Sequence, residues 1–399
     1  MITRALLLVA VREIVRSCYN RIISSADRFF GMPGRFFWLI GLLLFGWGCG
    51  GVLAPDGFRA ELVLVDTIRL EEPDTLFLGE FRSIAITLQP FRLYVPDRRL
   101  GRVVVYDSLG RPLQAIGRPG FDEPGAMRPP VRVLVHNGML YIEENPFNRI
   151  TRFTAAGEFL DRLFFPEGYY AHFGIRALDA GRLVVVSAWV EEPCWSAFQP
   201  ACAETRVVSV MDTSLSRVLY RFGQYPQRYL EGNYVGRSAM VDVHTQRKVA
   251  AVVYGMDSEL QFYALGDTSA RLRGRVALRH PAWRDPPQEM PADLLVNDRA
   301  RFNELLLRTS TMEGVYFAGD TLVLAYFYNR KPSFFERPGY ADADIAPYGV
   351  VAGLSGVWQQ ALALPGPVLG RDEAFHLYIR LSDEPGRRLI GRYRVVLKQ

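Results

Sequence analysis

The chain has 399 residues, of which 49% are hydrophobic and 22% are charged, and its formal net charge is +5. Residues 1–48 contain six of the basic and two of the acidic side chains, so the remainder carries a net charge of only +1. A nearly neutral body argues against binding to nucleic acid, which requires a clustered positive surface.

An apolar run, FFWLIGLLLFGWGCGG, occupies residues 36–51. Its uncharged part, Phe36–Trp47, is shorter than the roughly 20 residues that cross a bilayer and has the length of a signal-peptide core. Arg35 precedes the run, and positive residues tend to stay in the cytoplasm. We therefore expect the rest of the chain to be extracytoplasmic and attached to a membrane, either periplasmic or as an outer-membrane lipoprotein.

The run ends at Cys49 in the order of a bacterial lipoprotein signal, although Gly46 and Trp47 depart from the residues usual before that cysteine. We predict a signal segment over 32–48, lipid attachment at Cys49 and a linker over 49–58. An uncleaved N-terminal anchor is the alternative.

Residues 1–31 precede this signal, and Met32 offers a second start of translation. On that interpretation, residues 1–31 are not part of the natural protein. The alternative is an amphipathic or cytoplasmic leader, because its apolar and arginine residues recur at roughly helical spacing.

Two segments of the body, 91–117 and 139–165, repeat one pattern about 47 residues apart. Each contains a short strand, a turn, a second strand rich in β-branched residues, a tight turn with glycine and a third strand. A further strand candidate precedes each copy. Four antiparallel strands at this spacing are typical of one propeller blade.

Weaker copies follow in three segments, 173–222, 237–277 and 313–364. The last segment, 374–398, is one strand short, and residues 60–70 supply a strand that would complete it. Such a terminal strand closes the ring and removes open edges. We predict an all-β, six-bladed β-propeller over 59–399; seven blades or a pair of β-sandwiches are the alternatives.

The two clear copies share the motif LY[VI] followed by a hydrophobic strand and a glycine turn, and IGRPGFDEPGAMRPP lies between them. This pattern resembles the NHL-type six-bladed propellers, in particular the exported propeller lipoproteins of bacteria. The resemblance implies a propeller with function on its loops. Related propellers include lactonases and lyases that hold a metal in the central channel.

Cys194 and Cys202 occur in CWSAFQPAC, with no histidine nearby and no zinc-ligand spacing. In an exported chain, two cysteines that close a short loop indicate a disulfide. We predict that these two residues are joined.

Connections between the second and third strands, and between blades, fall on one face of a propeller. The long insertions of this chain all belong to these two kinds, and loops on a rigid scaffold often carry function. One insertion is predicted to hold a helix from Asp293 to Arg308 that packs on the propeller edge or binds a partner. The candidate binding residues on this face are Tyr169, Tyr170, His172, Tyr234, Arg237, Arg330 and Lys331.

No catalytic motif and no phosphate-binding loop occurs in the sequence. We predict a binding or scaffold module for a protein, peptide or glycan, with no cofactor, no metal and no nucleic acid. The alternative is a propeller enzyme of lactonase or lyase type with a metal in the channel, for which Glu144, His172 and Asp257 are weak candidates.

Overall fold

The computed structural model describes most of the chain after the linker, namely residues 58–144, 149–166, 169–189, 200–234, 237–291, 293–336 and 341–398. The predicted signal segment and Cys49 lie outside these ranges. Strands dominate the described part, and they confirm the predicted all-β class.

Within the described ranges, the strands form six antiparallel four-stranded sheets, the blades of a six-bladed propeller. Blades 1 to 3 each use four strands in chain order. Their strands are β2 (Ala85–Leu88), β3 (Phe91–Asp97), β4 (Arg102–Tyr106) and β5 (Pro112–Ile116); β8 (Pro130–His136), β9 (Met139–Glu144), β10 (Arg149–Thr154) and β11 (Phe159–Phe164); and β12 (Tyr169–Asp179), β13 (Arg182–Trp189), β14 (Arg206–Asp212) and β15 (Val218–Gln224).

Blades 4 and 5 repeat this order, and blade 6 takes three strands from the C-terminal end of the body. Their strands are β16 (Ala239–His244), β17 (Val249–Tyr254), β18 (Glu259–Leu265) and β19 (Ala270–Ala277); β20 (Ser310–Phe317), β21 (Leu322–Arg330), β22 (Ile345–Gly353) and β23 (Gln359–Ala363); and β24 (Val368–Arg371), β25 (Leu377–Ser382) and β26 (Leu389–Lys398). A separate pair of two-residue strands, β6 (Arg118–Pro119) and β7 (Ala126–Met127), lies between blades 1 and 2.

The fourth strand of blade 6 is β1 (Arg59–Arg69), from the opposite end of the propeller sequence. It pairs antiparallel with β26, from Arg59 opposite Lys398 to Arg69 opposite Leu389. The predicted closure by an N-terminal strand is therefore confirmed, and the closing strand gives the ring no open end.

The core is divided among the blade interfaces. Six apolar clusters fill the spaces between neighbouring blades, including the space between blades 6 and 1. In β17, Val249 and Ala251 face blade 5, whereas Ala250 and Val252 face blade 3. Successive side chains of a strand point to opposite sides, and both sides of these blades are covered by a neighbouring blade. Strands such as β17 are therefore almost continuously apolar.

Helices occur in two connections of the described chain. α1 (Gln227–Glu231) follows blade 3, and α2 (Leu294–Asn297) and α3 (Arg299–Leu307) lie between blades 4 and 5. The single helix predicted from Asp293 to Arg308 is thus two helices, because Asp298 leaves the helical conformation and its carboxylate accepts from the Arg301 backbone N–H to cap α3. None of the helices in the described ranges is long and apolar enough to cross a membrane.

Candidate functional site: the central channel

The first strand of each blade is its inner strand, and the inner strands of all six blades line a central channel. The channel contains two adjoining cavities of about 440 and 340 Å³. Ser83, Arg132, Tyr316 and Leu369 line both cavities and mark the boundary between them.

The two faces of the propeller differ in the length of their connections. On the face at the C-terminal ends of the inner strands, which we call the turn face, no connection between blade strands exceeds five residues. On the opposite face, which we call the loop face, six connections have 13 or more residues: 70–84, 117–129, 190–205, 225–238, 278–309 and 331–344. The prediction that the long insertions share one face is confirmed.

The larger cavity, the turn-face chamber, contains a buried aspartate that is hydrogen-bonded to three other blades. Asp242 of blade 4 is 1% exposed. It accepts from Arg176 Nε of blade 3 at 3.2 Å, from the Phe317 backbone N–H of blade 5 at 2.8 Å and from Arg371 Nε of blade 6 at 2.5 Å. A buried carboxylate needs such partners, because burying an unpaired charge is costly.

Aromatic rings hold the two guanidinium groups that contact Asp242. Arg176 lies over the ring of Tyr316 at 5.7 Å, and Arg371 lies over the ring of Phe375 at 5.4 Å. Burial alone would lower the pKa of Arg176, but the surrounding groups, of which Tyr316 and Asp242 contribute most, raise it above its usual value. These arginines are therefore fixed cations with little freedom to move.

The smaller cavity, the loop-face chamber, is lined by arginines, tyrosines and one glutamate. Its arginines are Arg82, Arg98, Arg132 and Arg380. Glu80 lies at the rim, with an oxygen 2.9 Å from Arg82 Nη2 and 3.4 Å from Arg98 Nη1. Arg82 and Arg132 line this chamber and keep 40% and 34% of their side-chain surface exposed, and Arg132 Nη1 lies 3.8 Å from the carboxylate of the buried Glu143.

Arg380 differs from the other arginines of this chamber because it is 5% exposed and tightly bound. It donates to both carboxylate oxygens of Asp342, to the Phe81 carbonyl at 2.6 Å and towards Asp383. Asp342 belongs to the loop between β21 and β22. Arg380 thus ties Asp342 to blade 6 and acts as a structural cation.

Glu313 on β20 is the acidic residue of the loop-face chamber. Its carboxylate lies 3.7 Å from Arg330 Nη2, and its side chain is 34% exposed to the lumen. Burial raises the pKa of Glu313, whereas the positive charges of Arg330, Arg82 and Arg132 lower it in part. The raised pKa indicates a carboxylate that is less solvated than one at the surface.

Three tyrosines form one wall of this chamber. The rings of Tyr316 and Tyr326 are stacked at 5.9 Å with an interplanar angle of 6°, and Tyr328 lies 5.9 Å from Tyr326. Burial raises the pKa of Tyr326 well above its usual value. Its phenol therefore stays protonated and keeps a hydroxyl that can donate.

The predicted site residues lie in four separate places. Tyr169, Tyr170 and His172 begin β12, opposite Trp189, Ala188 and Ser187 of β13, and their side chains are outside the described part. Arg330 donates to Thr311 and approaches Glu313, which brings it to the loop-face chamber. The Lys331 ammonium donates to the Ala343 carbonyl at 2.7 Å on the exposed loop.

Tyr234 and Arg237 lie beside α1 in an aromatic cluster. Tyr234 is 2% exposed, and its hydroxyl donates to the Pro287 carbonyl at 2.8 Å. Arg237 donates to Asn233 Oδ1 at 3.0 Å, and burial lowers its pKa. The structure therefore brings neither residue to the channel lining described above.

Two of the weak metal candidates have protein partners. Glu144 is fully buried and accepts from Arg149 and Thr151. Asp257 accepts from the Glu259 backbone N–H at 2.7 Å and lies 3.6 Å from Arg228, and burial raises its pKa. No group of three or more histidine, cysteine or acidic residues placed to hold a metal ion occurs among the residues that the structure describes.

The predicted disulfide is only partly visible. Cys202 is disulfide-bonded. Cys194 lies outside the described residues, so the pairing of these two cysteines stays a prediction.

Five charged residues of the channel were not among the site residues predicted from the sequence. Asp242, Arg371, Arg176, Arg132 and Glu313 each belong to the first strand of a blade, within an otherwise apolar run such as AMVDVH or PVRVLVH. A charged residue in such a strand, whose sides are both covered by neighbouring blades, is the signal that could have identified them.

Comparison with known proteins supports the fold. No family model matches the chain, and no curated protein matches it, so the NHL-type resemblance stays a prediction. A DUF4221-family protein of Bacteroides vulgatus has a similar structure, with a TM-score of 0.61 and 9% identity over 85% of this chain and 99% of that one. A "Putative exported protein" of Bacteroides fragilis has a TM-score of 0.54 and 13% identity over 85% and 96% of the two chains. At these identities, the likeness shows the fold alone.

Proposed function

We propose that the chain is an extracytoplasmic binding module, attached to a membrane and holding a protein, peptide or glycan on its loop face. The observation that carries this proposal is the loop-face chamber, which lies towards the same face as the six long connections and is lined by arginine and tyrosine side chains. Arginine and tyrosine are enriched at binding hot spots because they combine apolar contact with hydrogen bonding.

The rigid scaffold beneath this face supports the proposal. Arg380 ties Asp342, near the end of the 331–344 connection, to blade 6, and Arg388 ties the 70–84 connection to blade 6 through Glu72 and the Leu78 carbonyl. Residues that are held in place before binding lose less conformational entropy when a partner binds.

The extracytoplasmic location is proposed from the apolar run before Cys49, with a lipid on Cys49 as the attachment. The similar Bacteroides fragilis protein is described as exported, which agrees with this location. We propose Cys194 as the partner of Cys202, because an oxidising compartment favours such a bond.

The test is a quantitative mass-spectrometric pull-down of the tagged full chain from its detergent-solubilised membranes. Lys331 and Glu336 are exposed on the loop face, and Arg271 and Arg273 are exposed on β19, the outer strand of blade 4. We expect the double variant Lys331→Glu, Glu336→Lys to lose a stoichiometric partner that Arg271→Glu, Arg273→Glu retains. Equal recovery of the same partner by both variants, or no stoichiometric partner with wild type, would count against a partner on the loop face.

A further inference from the structure

The loop-face chamber has the size and lining of a small-molecule site. Its volume of about 340 Å³ lies within the range of ligand pockets, roughly 300–1,000 Å³. Its lining combines apolar residues, such as Val131 and Leu369, with a small number of charged and hydroxyl groups. A pocket of this kind suits a compact ligand that carries at least one charged group.

The charges that reach the lumen are mostly positive. Four arginines and one glutamate are among the described residues that line the chamber. Each of these arginines has a carboxylate partner outside the lining: Glu80 at the rim pairs with Arg82 and Arg98, Glu143 pairs with Arg132, and Asp342 pairs with Arg380. A ligand that enters the lumen therefore meets guanidinium groups first, and guanidinium binds carboxylate through paired hydrogen bonds.

Arg82 and Arg132 are the arginines best placed for that contact. Arg132 lies on β8 at the boundary of both chambers, and Arg82 lies just before β2 at the rim. Both side chains keep more than a third of their surface open, whereas Arg380 is 5% exposed and fully engaged. Arg82 is paired with Glu80 and Arg132 with Glu143, and the exposed fraction of each side chain leaves room for a ligand anion to approach without displacing the ion pairs of Arg380.

The other walls fit the remainder of such a ligand. Tyr316, Tyr326 and Tyr328 line the same chamber, so that the exposed parts of their rings can contact the remainder of the ligand. Glu313 lies in the same lining and offers carboxyl oxygens to a ligand hydroxyl or N–H group.

We propose that the loop-face chamber binds a small ligand with a free carboxylate, held by Arg132 and Arg82 and packed against the tyrosine wall. This inference rests on the binding function proposed above and names the chemistry of its ligand. A carboxylate could come from an acidic sugar or from the C-terminus of a short peptide, and the chamber would recognise the group that they share.

The test is isothermal titration calorimetry on the full chain, purified in detergent, with two matched pairs of probes. Glucuronate is compared with glucose, and N-acetyltrialanine with its C-terminal amide. We expect the acid of at least one pair to bind about tenfold or more tightly than its neutral partner, since a charge-assisted hydrogen bond contributes 1.5–3 kcal/mol. The pair that responds identifies the source of the carboxylate.

Variants locate the binding. Arg132→Gln and Arg82→Gln should each lower the affinity for the acid that binds about tenfold. Arg273→Gln on the outer strand should leave that affinity unchanged. Thermal melting of each variant shows whether it is folded. If Arg132→Gln does not fold, Arg82→Gln at the rim still tests the site. Equal binding of acids and neutral partners, no binding of any probe, or unchanged affinity in both channel variants would overturn the carboxylate site. A partner still captured in the pull-down would then leave the binding function standing.

Discussion

Arg371 of blade 6 and Asp242 of blade 4 both line the turn-face chamber, where Arg371 Nε donates to the Asp242 carboxylate with an N···O distance of 2.5 Å. The same carboxylate accepts from Arg176 of blade 3 and from the backbone of blade 5. A propeller is held mainly by apolar contacts between adjacent blades, and this group adds a polar link between blades that are not adjacent. Asp242 therefore couples four of the six blades at the turn face.

Replacement of Asp242 by asparagine should strongly destabilise the fold. The variant keeps the shape but removes the charge that balances Arg176 and Arg371, and breaking a buried pair costs about 3–5 kcal/mol. The free energy of unfolding in urea measures the loss. Asp267→Asn is the matched control, because Asp267 is 81% exposed beside Arg182 and such surface pairs contribute about 1 kcal/mol or less. Similar losses in the two variants would contradict the structural role of Asp242.

Glu313 should make the stability of the chain depend on pH. Because burial raises its pKa in the folded state, the folded chain binds more protons than the unfolded chain above the ordinary value of 4.5. Stability should therefore fall as the pH rises from about 4.5 through the raised pKa. Arg330, Arg82 and Arg132 face the carboxylate and reduce this effect.

The variant Glu313→Gln isolates that contribution. Relative to wild type, it should gain stability as the pH rises from about 4 to about 8, because glutamine has no proton to lose. Urea unfolding of both proteins across this range measures the difference at each pH. A difference that stays constant, or that falls with rising pH, would contradict a raised pKa for Glu313.

Closure of the ring depends on a glycine in blade 1. Gly110 has φ +80°, and a Cβ atom there would lie 1.9 Å from the Arg69 carbonyl oxygen of β1. Gly110→Ala should therefore lower stability by about 2–3 kcal/mol, through both the positive φ and the displaced closing strand. Gly138→Ala is the matched control: its φ is +73°, but nothing lies within 4 Å, so it should cost only about 1 kcal/mol. Equal losses in thermal unfolding would show that the contact with β1 contributes nothing.

Much of the fold could be predicted from periodic patterns, because each blade repeats the same local requirements. Gly110 and Gly157 occupy matching turns with positive φ, and the distance between them in the sequence indicates the length of one blade. In blade 3 the matching position is Leu215, with φ +56°. Because this turn has no glycine, the repeat is harder to recognise from the sequence of blade 3. The closing strand was predictable because blade 6 was one strand short.

The channel site was harder to predict because its parts are far apart in sequence. Asp242 is 66 residues from Arg176 and 129 from Arg371, so no local motif contains the contact. Tyr234 was predicted to bind a partner because it lies in a connection between blades. Its backbone is bridged to Met290, however, and its side chain is buried, so it is not available on the surface. Only the assembled ring decides which charged or aromatic residues face the lumen.

The cysteines of the 190–205 connection should form one intramolecular bond. Peptide mapping of the chain under non-reducing conditions should recover Cys194 linked to Cys202, and reduction should separate the two peptides. The double variant Cys194→Ala, Cys202→Ala should lose about 2–3 kcal/mol of stability, since a disulfide that closes a short loop restricts the unfolded chain modestly. A linkage of Cys202 to any other cysteine would show that the predicted pairing is wrong.

Attachment to the membrane should depend on Cys49. In the host cell, Cys49→Ser should move the chain from the membrane fraction to the soluble extracytoplasmic fraction, because the acyl chains on this residue would provide the anchor. Cys18→Ser is the matched control and should leave the chain in the membrane, since Cys18 precedes the predicted signal. Intact-mass measurement of the membrane form should show a chain that begins at Cys49 and carries lipid. Retention of Cys49→Ser in the membrane, with residues 36–47 still present, would instead support the uncleaved N-terminal anchor.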